Sequence, residues 1–185
     1  KKLIADLIND VDRSLMPLLE KRKNIKKIGF VIVTADRGLA GSFNTNIIKK
    51  AEQEIDKIGK DNAELFCIGK KGYEHFHKRN YSIINHYKDF WMSLNYKQAI
   101  EMGNNVINAY VDKKIDSVYV IYNYFKNVGS QKLIHEQLLP LDFEKNEKKK
   151  KNDIIYEPSK IEIVKSLVPK YFNTQIWQYL LESFA

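Results

Sequence analysis

Cysteine occurs once in the 185 residues, at Cys67. A single thiol excludes a disulfide scaffold and a cysteine-rich zinc site, and it suits a reducing compartment. Four prolines and eight glycines are too few for a collagen-like repeat or a Pro/Gly-rich disordered chain. No long apolar run exists either. The longest, from Ile28 to Val33, falls far short of the ~20 residues that cross a bilayer. The opening Lys1-Lys2-Leu3-Ile4 has no apolar core followed by a cleavage site, so it is not a signal peptide.

The composition is 44% hydrophobic, 29% charged and 12% aromatic. That is the profile of one globular domain with a real core. The net charge of +8 first suggests an anionic partner. Only Lys21, Arg22, Lys23, Lys26 and Lys27 form a dense basic patch. The Lys148 to Lys151 run is flanked by Asp142, Glu144, Glu147 and Asp153 and reads as a solvated loop. A nucleic-acid binder would gather its cations on one stripe with aromatics between them. The dispersed pattern argues against nucleic acid.

Leu3, Leu7, Val11 and Leu15 recur every four residues, which predicts an amphipathic helix over 3–15, ended by Pro17. The β-branched run 28–33 predicts a strand buried on both faces. A Gly turn at 36–43 and a helix over 45–58 follow. The cycle then repeats: strands at 64–68, 82–87 and 116–124, a turn at 69–72, and helices at 73–79 and 96–113. Alternating strands and helices predict an α/β fold with a mainly parallel, Rossmann-like sheet flanked by helices. Residues 132–139 read as extended, 154–156 as a short strand, and 159–168 and 169–185 as two helices. The first helix lacks an initiator Met before it, and the last stops at Ala185 without a stop signal. Both ends are therefore expected to be cut within helices. Those two helices could pair as an antiparallel coiled coil or simply pack on the sheet.

Candidate chemistry is sparse. The turn Asp36-Arg37-Gly38-Leu39-Ala40-Gly41-Ser42-Phe43-Asn44 joins a strand to a helix, where α/β proteins cradle phosphates on backbone N–H groups. It matches neither Gly-x-x-x-x-Gly-Lys-Ser/Thr nor Gly-x-Gly-x-x-Gly. The simpler reading, and the preferred one, is a structural turn, with Asn44 or Thr45 capping the helix. His75 and His77 diverge by about 200° on a helix, which is poor metal-ligand geometry. No metal site and no cofactor are expected. Cys67 reads as a buried structural thiol. No carboxylate pair or serine elbow forms a catalytic set, so the chain reads as non-catalytic.

Several segments carry a resemblance when taken together: Val33-Thr34-Ala35-Asp36-Arg37-Gly38-Leu39-Ala40-Gly41-Ser42-Phe43-Asn44, Ser130-Gln131-Lys132, Glu136-Gln137-Leu138-Leu139-Pro140-Leu141, Tyr156-Glu157-Pro158-Ser159 and Leu181-Glu182-Ser183-Phe184-Ala185. In this order and spacing they resemble the gamma subunits of F-type ATP synthases over nearly the whole chain. Ala40 and Ser42 depart from the Cys and Gly that the family often has, without removing a charge or either turn glycine. The Cys-bearing regulatory insertion of chloroplast members has no counterpart here, which points to a bacterial-type chain.

The resemblance implies a non-catalytic central-stalk rotor. It would pass torque between a membrane proton ring and a catalytic ring of alpha and beta subunits, without a cofactor. Residues 1–16 would be the end of an N-terminal shaft helix, 17–168 a central α/β domain, and 169–185 the start of a C-terminal shaft helix. The implied partners are the epsilon subunit, the c subunits of the proton ring, and alpha and beta through the shaft. The implied location is the cytoplasmic face of a bacterial plasma membrane, peripherally. Asp36, Arg37, Gly38, Leu39, Gly41 and Asn44 would form a structural or interaction turn. Gln131, Glu136, Gln137, Tyr156, Glu157 and Pro158 would touch other subunits, with 156–158 and the basic patch 21–27 toward the proton ring or the membrane-side surface. The alternative reading is a small nucleotide-binding α/β protein using the turn 36–44.

Overall fold

A computed structural model describes residues 2–8, 11–37, 42–89, 91–127, 130–143, 157 and 159–184. The repeat of apolar strand and amphipathic helix is realised as β1 (Ile28–Val33), α2 (Ser42–Ile58), β2 (Ala63–Ile68), α3 (Lys70–Lys78), β3 (Ile83–Tyr87), α4 (Tyr96–Val111), β4 (Ser117–Asn127), β5 (Ser130–Leu139) and α5 (Lys160–Phe184), preceded by α1 (Lys2–Ile8). The sheet order is β3-β2-β1-β4-β5. β1 to β4 are mutually parallel, and β5 runs antiparallel to β4 at the edge. The mainly parallel α/β architecture is therefore as expected.

Strand alternation divides the core in two, because successive side chains point to opposite faces. Phe30 and Ile32 of β1 pack with Leu65, Cys67 and Ile121 against Ile47, Ala51 and Ile55 of α2 and Phe76 of α3. Val31 and Val33 pack with Phe66, Val118 and Val120 against α1, α4 and α5, through Leu7, Met102, Val106, Phe172 and Ile176. β1 is central and buried on both faces, so its β-branched run needs no polar alternation.

Three local expectations are revised. The helix over 3–15 is shorter: α1 ends at Ile8, and single 3-10 turns follow at Arg13–Leu15 and Pro17–Leu19. The Asp12 side chain accepts from the Ser14 N–H at 2.9 Å and starts a new turn. Pro17 then occupies the first position of the next turn, where its missing N–H costs nothing. Leu15 is consequently 50% exposed, while Met16, Leu18 and Leu19 enter the core. The two helices of the last third are one helix, α5, with Pro169 inside it. Packing of Val164, Val168, Phe172, Ile176 and Leu180 carries the helix across the proline. Finally, α3 begins at Lys70 rather than Tyr73, because groups remote in sequence cap its start. The short strand expected at 154–156 lies outside the described residues. Among the described residues, no helix is long and apolar enough to cross a membrane.

Candidate functional site

The turn after β1 lies at the C-terminal edge of the sheet. Thr34 is fully buried. Its N–H donates to Ile68 O at 2.7 Å, and its hydroxyl donates to the same carbonyl at 3.2 Å. The Gly72 N–H donates to Thr34 Oγ1 at 2.9 Å, and the Trp91 indole donates to Thr34 O at 3.1 Å. Gly69 closes this contact. Its φ is +94°, and a Cβ there would fall 1.9 Å from Thr34 O, so only glycine fits.

Asp36 and Asn44 continue the same latch. The Lys70 N–H donates to Asp36 Oδ1 at 2.8 Å, and the Lys71 N–H to Ala35 O at 3.2 Å. Asn44 Oδ1 accepts from the Ala35 N–H at 2.9 Å, and Asn44 Nδ2 donates to Arg37 O at 3.3 Å. The first N–H groups of α3, at Lys70, Lys71 and Gly72, are thus taken by the chain itself. A phosphate would have to displace a carboxylate there. Arg37 is exposed, and its carbonyl rather than its guanidinium holds the turn. Gly38, Leu39 and Gly41 lie outside the described residues. Asp36, Arg37, Phe43, Lys70, Asp89, Trp91, Met92 and Ser183 line a cleft of about 670 Å³ beside this latch.

The expected contact residues of β5 sit on the opposite flank. Gln131 is exposed and pairs with Phe125 of β4. Glu136 pairs in register with Val120, is exposed, and its carboxylate adds to the upward shift of the Tyr179 phenol on α5. Gln137 donates from Nε2 to Pro140 O at 3.0 Å. Glu136, Gln137, Asp142, Tyr171, Gln175 and Tyr179 line a pocket of about 280 Å³ between β5 and α5. Tyr122 of β4 donates to Glu182 Oε2 of α5 at 2.6 Å. Burial first, and then the facing carboxylates, push the Tyr122 and Tyr179 phenols well above their ordinary range. Both stay protonated donors. Glu157 is an exposed bend residue. Tyr156 and Pro158 lie outside the described residues.

The structure brings Asp36, Arg37 and Asn44 together, and Glu136 and Gln137 together, on separate flanks. Sequence reading missed Thr34, Trp91, Tyr122 and Tyr179. Each finds its partner across long separation, so no local pattern marks it. The basic patch is another surprise. Arg22 donates to Tyr110 O, to Ile115 O at 2.5 Å and to Asp116 Oδ1 at 3.0 Å, and lies 4.3 Å over the Tyr110 ring. Asp116 also accepts from the Lys26 and Lys27 N–H groups, at 2.8 and 3.0 Å. Burial pushes its carboxyl up, but these bonds outweigh burial and leave it below the ordinary value. Lys27 pairs with Glu64 at 3.2 Å and Lys21 with Asp142 at 3.1 Å. Within the patch, the Arg22 side chain and the Lys26 and Lys27 backbone clamp Asp116 just before β4.

Other polar groups have structural partners too. His75 bonds Glu52 at 2.7 Å, while His77 stacks on Tyr73. The two rings diverge as their spacing requires. Among the described residues, no three His, Cys, Asp or Glu side chains converge as a metal site. Burial raises the Cys67 thiol to about 12, which leaves it unreactive at neutral pH.

A family model described as ATP synthase matches residues 1–185. An ATP synthase gamma chain from Chlorobium phaeobacteroides is 40% identical over 190 residues, covering 100% of this chain and 65% of the relative. Another, from Chloroherpeton thalassium, is 39% identical over 201 residues, covering 100% and 66%. This chain therefore spans about two thirds of the length of those relatives. Among solved structures, a chain of the Tetrahymena thermophila mitochondrial ATP synthase central stalk/c-ring superposes with a TM-score of 0.70 at 18% identity. The match covers 99% of this chain and 85% of that one. A Euglena gracilis mitochondrial ATP synthase chain gives 0.60 at 16% identity, over 98% and 67%. At such identity these two bear on the fold alone.

Proposed function

Because this chain belongs to the ATP synthase gamma-chain family, we propose that it is part of a central-stalk rotor. It passes torque between a membrane proton ring and a catalytic ring of alpha and beta subunits, and it is not catalytic by itself. The observation that carries this reading is the seating of α5. One helix of 25 residues lies on a sheet packed on both faces, rooted there by apolar burial from Val164 to Leu180. A close-packed interior resists deformation, so turning the sheet turns the helix. Within residues 1–16 the N-terminal shaft is α1, which ends at Ile8; 17–168 are the body, and 169–185 the start of the C-terminal shaft. Because α5 runs unbroken through residue 169, that shaft grows directly out of the body.

The partners are the c subunits of the proton ring, the epsilon subunit, and alpha and beta through the shaft. The chain works peripherally on the cytoplasmic face of a bacterial plasma membrane. Gln131, Glu136, Gln137, Tyr156, Glu157 and Pro158 contact other subunits. Asp36, Arg37, Gly38, Leu39, Gly41 and Asn44 serve a structural or an interaction role as the family-like turn.

The test uses the full-length chain assembled with its complex in liposomes. ATP hydrolysis should drive proton pumping only when this chain is present, and the chain alone should turn over no ATP. ATPase activity of the isolated chain that disappears in Arg37→Ala would overturn the reading.

A further inference from the structure

The buried stripe of α5 does not by itself fix where the helix sits. Val164, Val168, Phe172, Ile176 and Leu180 recur every four residues and are all buried. Sliding α5 by four residues, about 6 Å along its axis, carries this stripe onto itself. The sites of Val168, Phe172 and Ile176 then still receive apolar side chains. Apolar contact is non-directional, so only side-chain size opposes the shift. Hydrogen bonds at the rim discriminate little. The Tyr96 hydroxyl of α4 lies 3.2 Å from Thr174 Oγ1, and a slide brings Lys170 or Gln178 there, each able to bond a hydroxyl. Tyr122 of β4 donates to Glu182 Oε2 at 2.6 Å. In one direction Gln178 arrives at that place with an acceptor oxygen of its own.

Asn173 is different. It is 7% exposed, beside Phe172 of the stripe. Its Nδ2 donates to Asn104 Oδ1 of α4 at 3.1 Å. Its Oδ1 fills the dent left by Gly103, where a Cβ would lie 2.0 Å from Oδ1 and 3.0 Å from Cγ. The carboxamide is therefore fitted to one place on α4. Sliding α5 by four residues puts Pro169 or Trp177 at Gly103 instead. Proline has no donor for Asn104, and an indole is far larger than the group the dent admits. Shifting the contact along α4 fails as well. One turn toward the start of α4, Ala99 and Ile100 stand in place of Gly103 and Asn104, with a Cβ in the way and no side-chain acceptor. One turn toward its end, Asn108 offers an acceptor but Ile107 closes the dent. A buried polar side chain in an apolar helix interface can specify register at a cost in stability. That cost is visible here: among the described residues, nothing donates to Asn173 Oδ1.

We propose that Asn173, seated at Gly103 and bonded to Asn104, is the register lock that fixes the axial position of α5 on the body, which makes it a positioning residue for rotary coupling. The lock itself follows from the helix contact; its part in coupling rests on the rotor reading above. A shaft helix displaced by one turn carries every contact beyond the body out of place, so the lock sets where torque is delivered.

The experiment compares wild type with Asn173→Leu in the full-length chain, first alone and then in the complete complex in liposomes. Leucine fits the dent but cannot bond Asn104. The register gauge is the nuclear Overhauser effect between the Tyr96 and Trp177 rings, whose centroids lie 5.9 Å apart. In Asn173→Leu this effect should lose at least half its intensity and the α5 amide resonances should double, while the denaturation midpoint stays level or rises. Asn104→Asp keeps the acceptor and should match wild type. Asn104→Leu, at an exposed position, should show a smaller loss, and Asn108→Leu, one turn away, none. In assembled complexes of equal amount, Asn173→Leu should pump at least twofold fewer protons per ATP hydrolysed. A single set of α5 resonances with the full ring effect in Asn173→Leu overturns the lock. So does a lowered midpoint with register unchanged, because that is a stability effect alone. If Asn173→Leu does not fold, an undiminished ring effect in Asn104→Leu overturns the lock in its place. A shifted register with an unchanged pumping ratio overturns the role in coupling. A wild-type complex that never couples hydrolysis to pumping brings down the rotor reading, while the ring effect still decides the lock.

Discussion

The two faces of the sheet are built differently. On one, α2 and α3 are crossover helices, each lying between two strands adjacent in the sheet. Their buried partners, such as Ile47, Ile55 and Phe76 against Phe30, Ile32 and Leu65, lie within a few dozen positions. On the other, α1 and α5 come from opposite ends of the chain and meet each other and α4 over strands from the middle. The first face is a closed floor, and the second holds the long helix. A defect in the floor should cost stability and nothing else. A defect under α5 should also loosen the element that carries torque.

Matched cavities test that contrast most strongly. Phe76 and Phe172 are both fully buried, one on each face. Phe76→Ala and Phe172→Ala should each destabilise by about 4 kcal/mol. Hydrogen exchange separates them: Phe172→Ala should lower protection across α5 while α2 and α3 keep theirs. Equal loss in all three helices would abolish the distinction between the faces. Next in size is Gly103→Ala. Its Cβ would lie 2.0 Å from Asn173 Oδ1, and Asn173 is held by donation to Asn104 at 3.1 Å. Pushing α4 from α5 should cost roughly 2–3 kcal/mol in chemical denaturation; a change below 0.5 kcal/mol would mean that the crossing yields freely.

The edge latch supplies a smaller contrast. Asp36→Ala should cost about 1 kcal/mol, as loss of a helix cap does, and Arg37→Ala should fall within ±0.5 kcal/mol, as surface changes do. The reverse order in thermal melts would reassign the role of the turn. The smallest effect concerns pH on the floor. Lys50 and Lys57 bond Glu54 at 2.6 and 2.8 Å and lower its carboxyl to about 2. A depressed carboxyl contributes stability that is present above its unfolded value of 4.5 and lost as pH falls toward 2. Exchange protection of α2 should therefore weaken between pH 4.5 and 2, and Glu54→Gln should remove that part of the pH dependence. A variant with the same acid profile as wild type would refute the assignment.

Legibility followed the same division. Strands β1, β2, β3 and β4 and helices α2 and α4 stood out because their apolar periods close within each element. The start of α3 did not: Asp36 and Thr34, 34 and 38 positions away from their partners Lys70 and Gly72, cap a helix whose own first residues look like a turn. The break after α1 was hidden because Leu15 continues the four-residue period, while the capping bond of Asp12 is invisible in an apolar pattern. Glu136 was marked as a contact residue by the family-like segment around it. Glu182, which accepts from Tyr122, was not, since the final helix read only as an apolar face.

Short-range order thus decided the element types, the mostly parallel sheet and, through several linked segments, the family. Those properties depend on residues a few positions apart, whose spacing sets which side faces a core. Distant packing alone decided that the +8 charge is partly an internal clamp around Asp116, that two predicted helices are one, and that Tyr122 of β4 is bonded to Glu182 of α5. The first and the last need a donor and an acceptor 60, 90 or more positions apart, the second needs the buried faces that α5 packs against, and such contacts exist only after the chain has closed around its core.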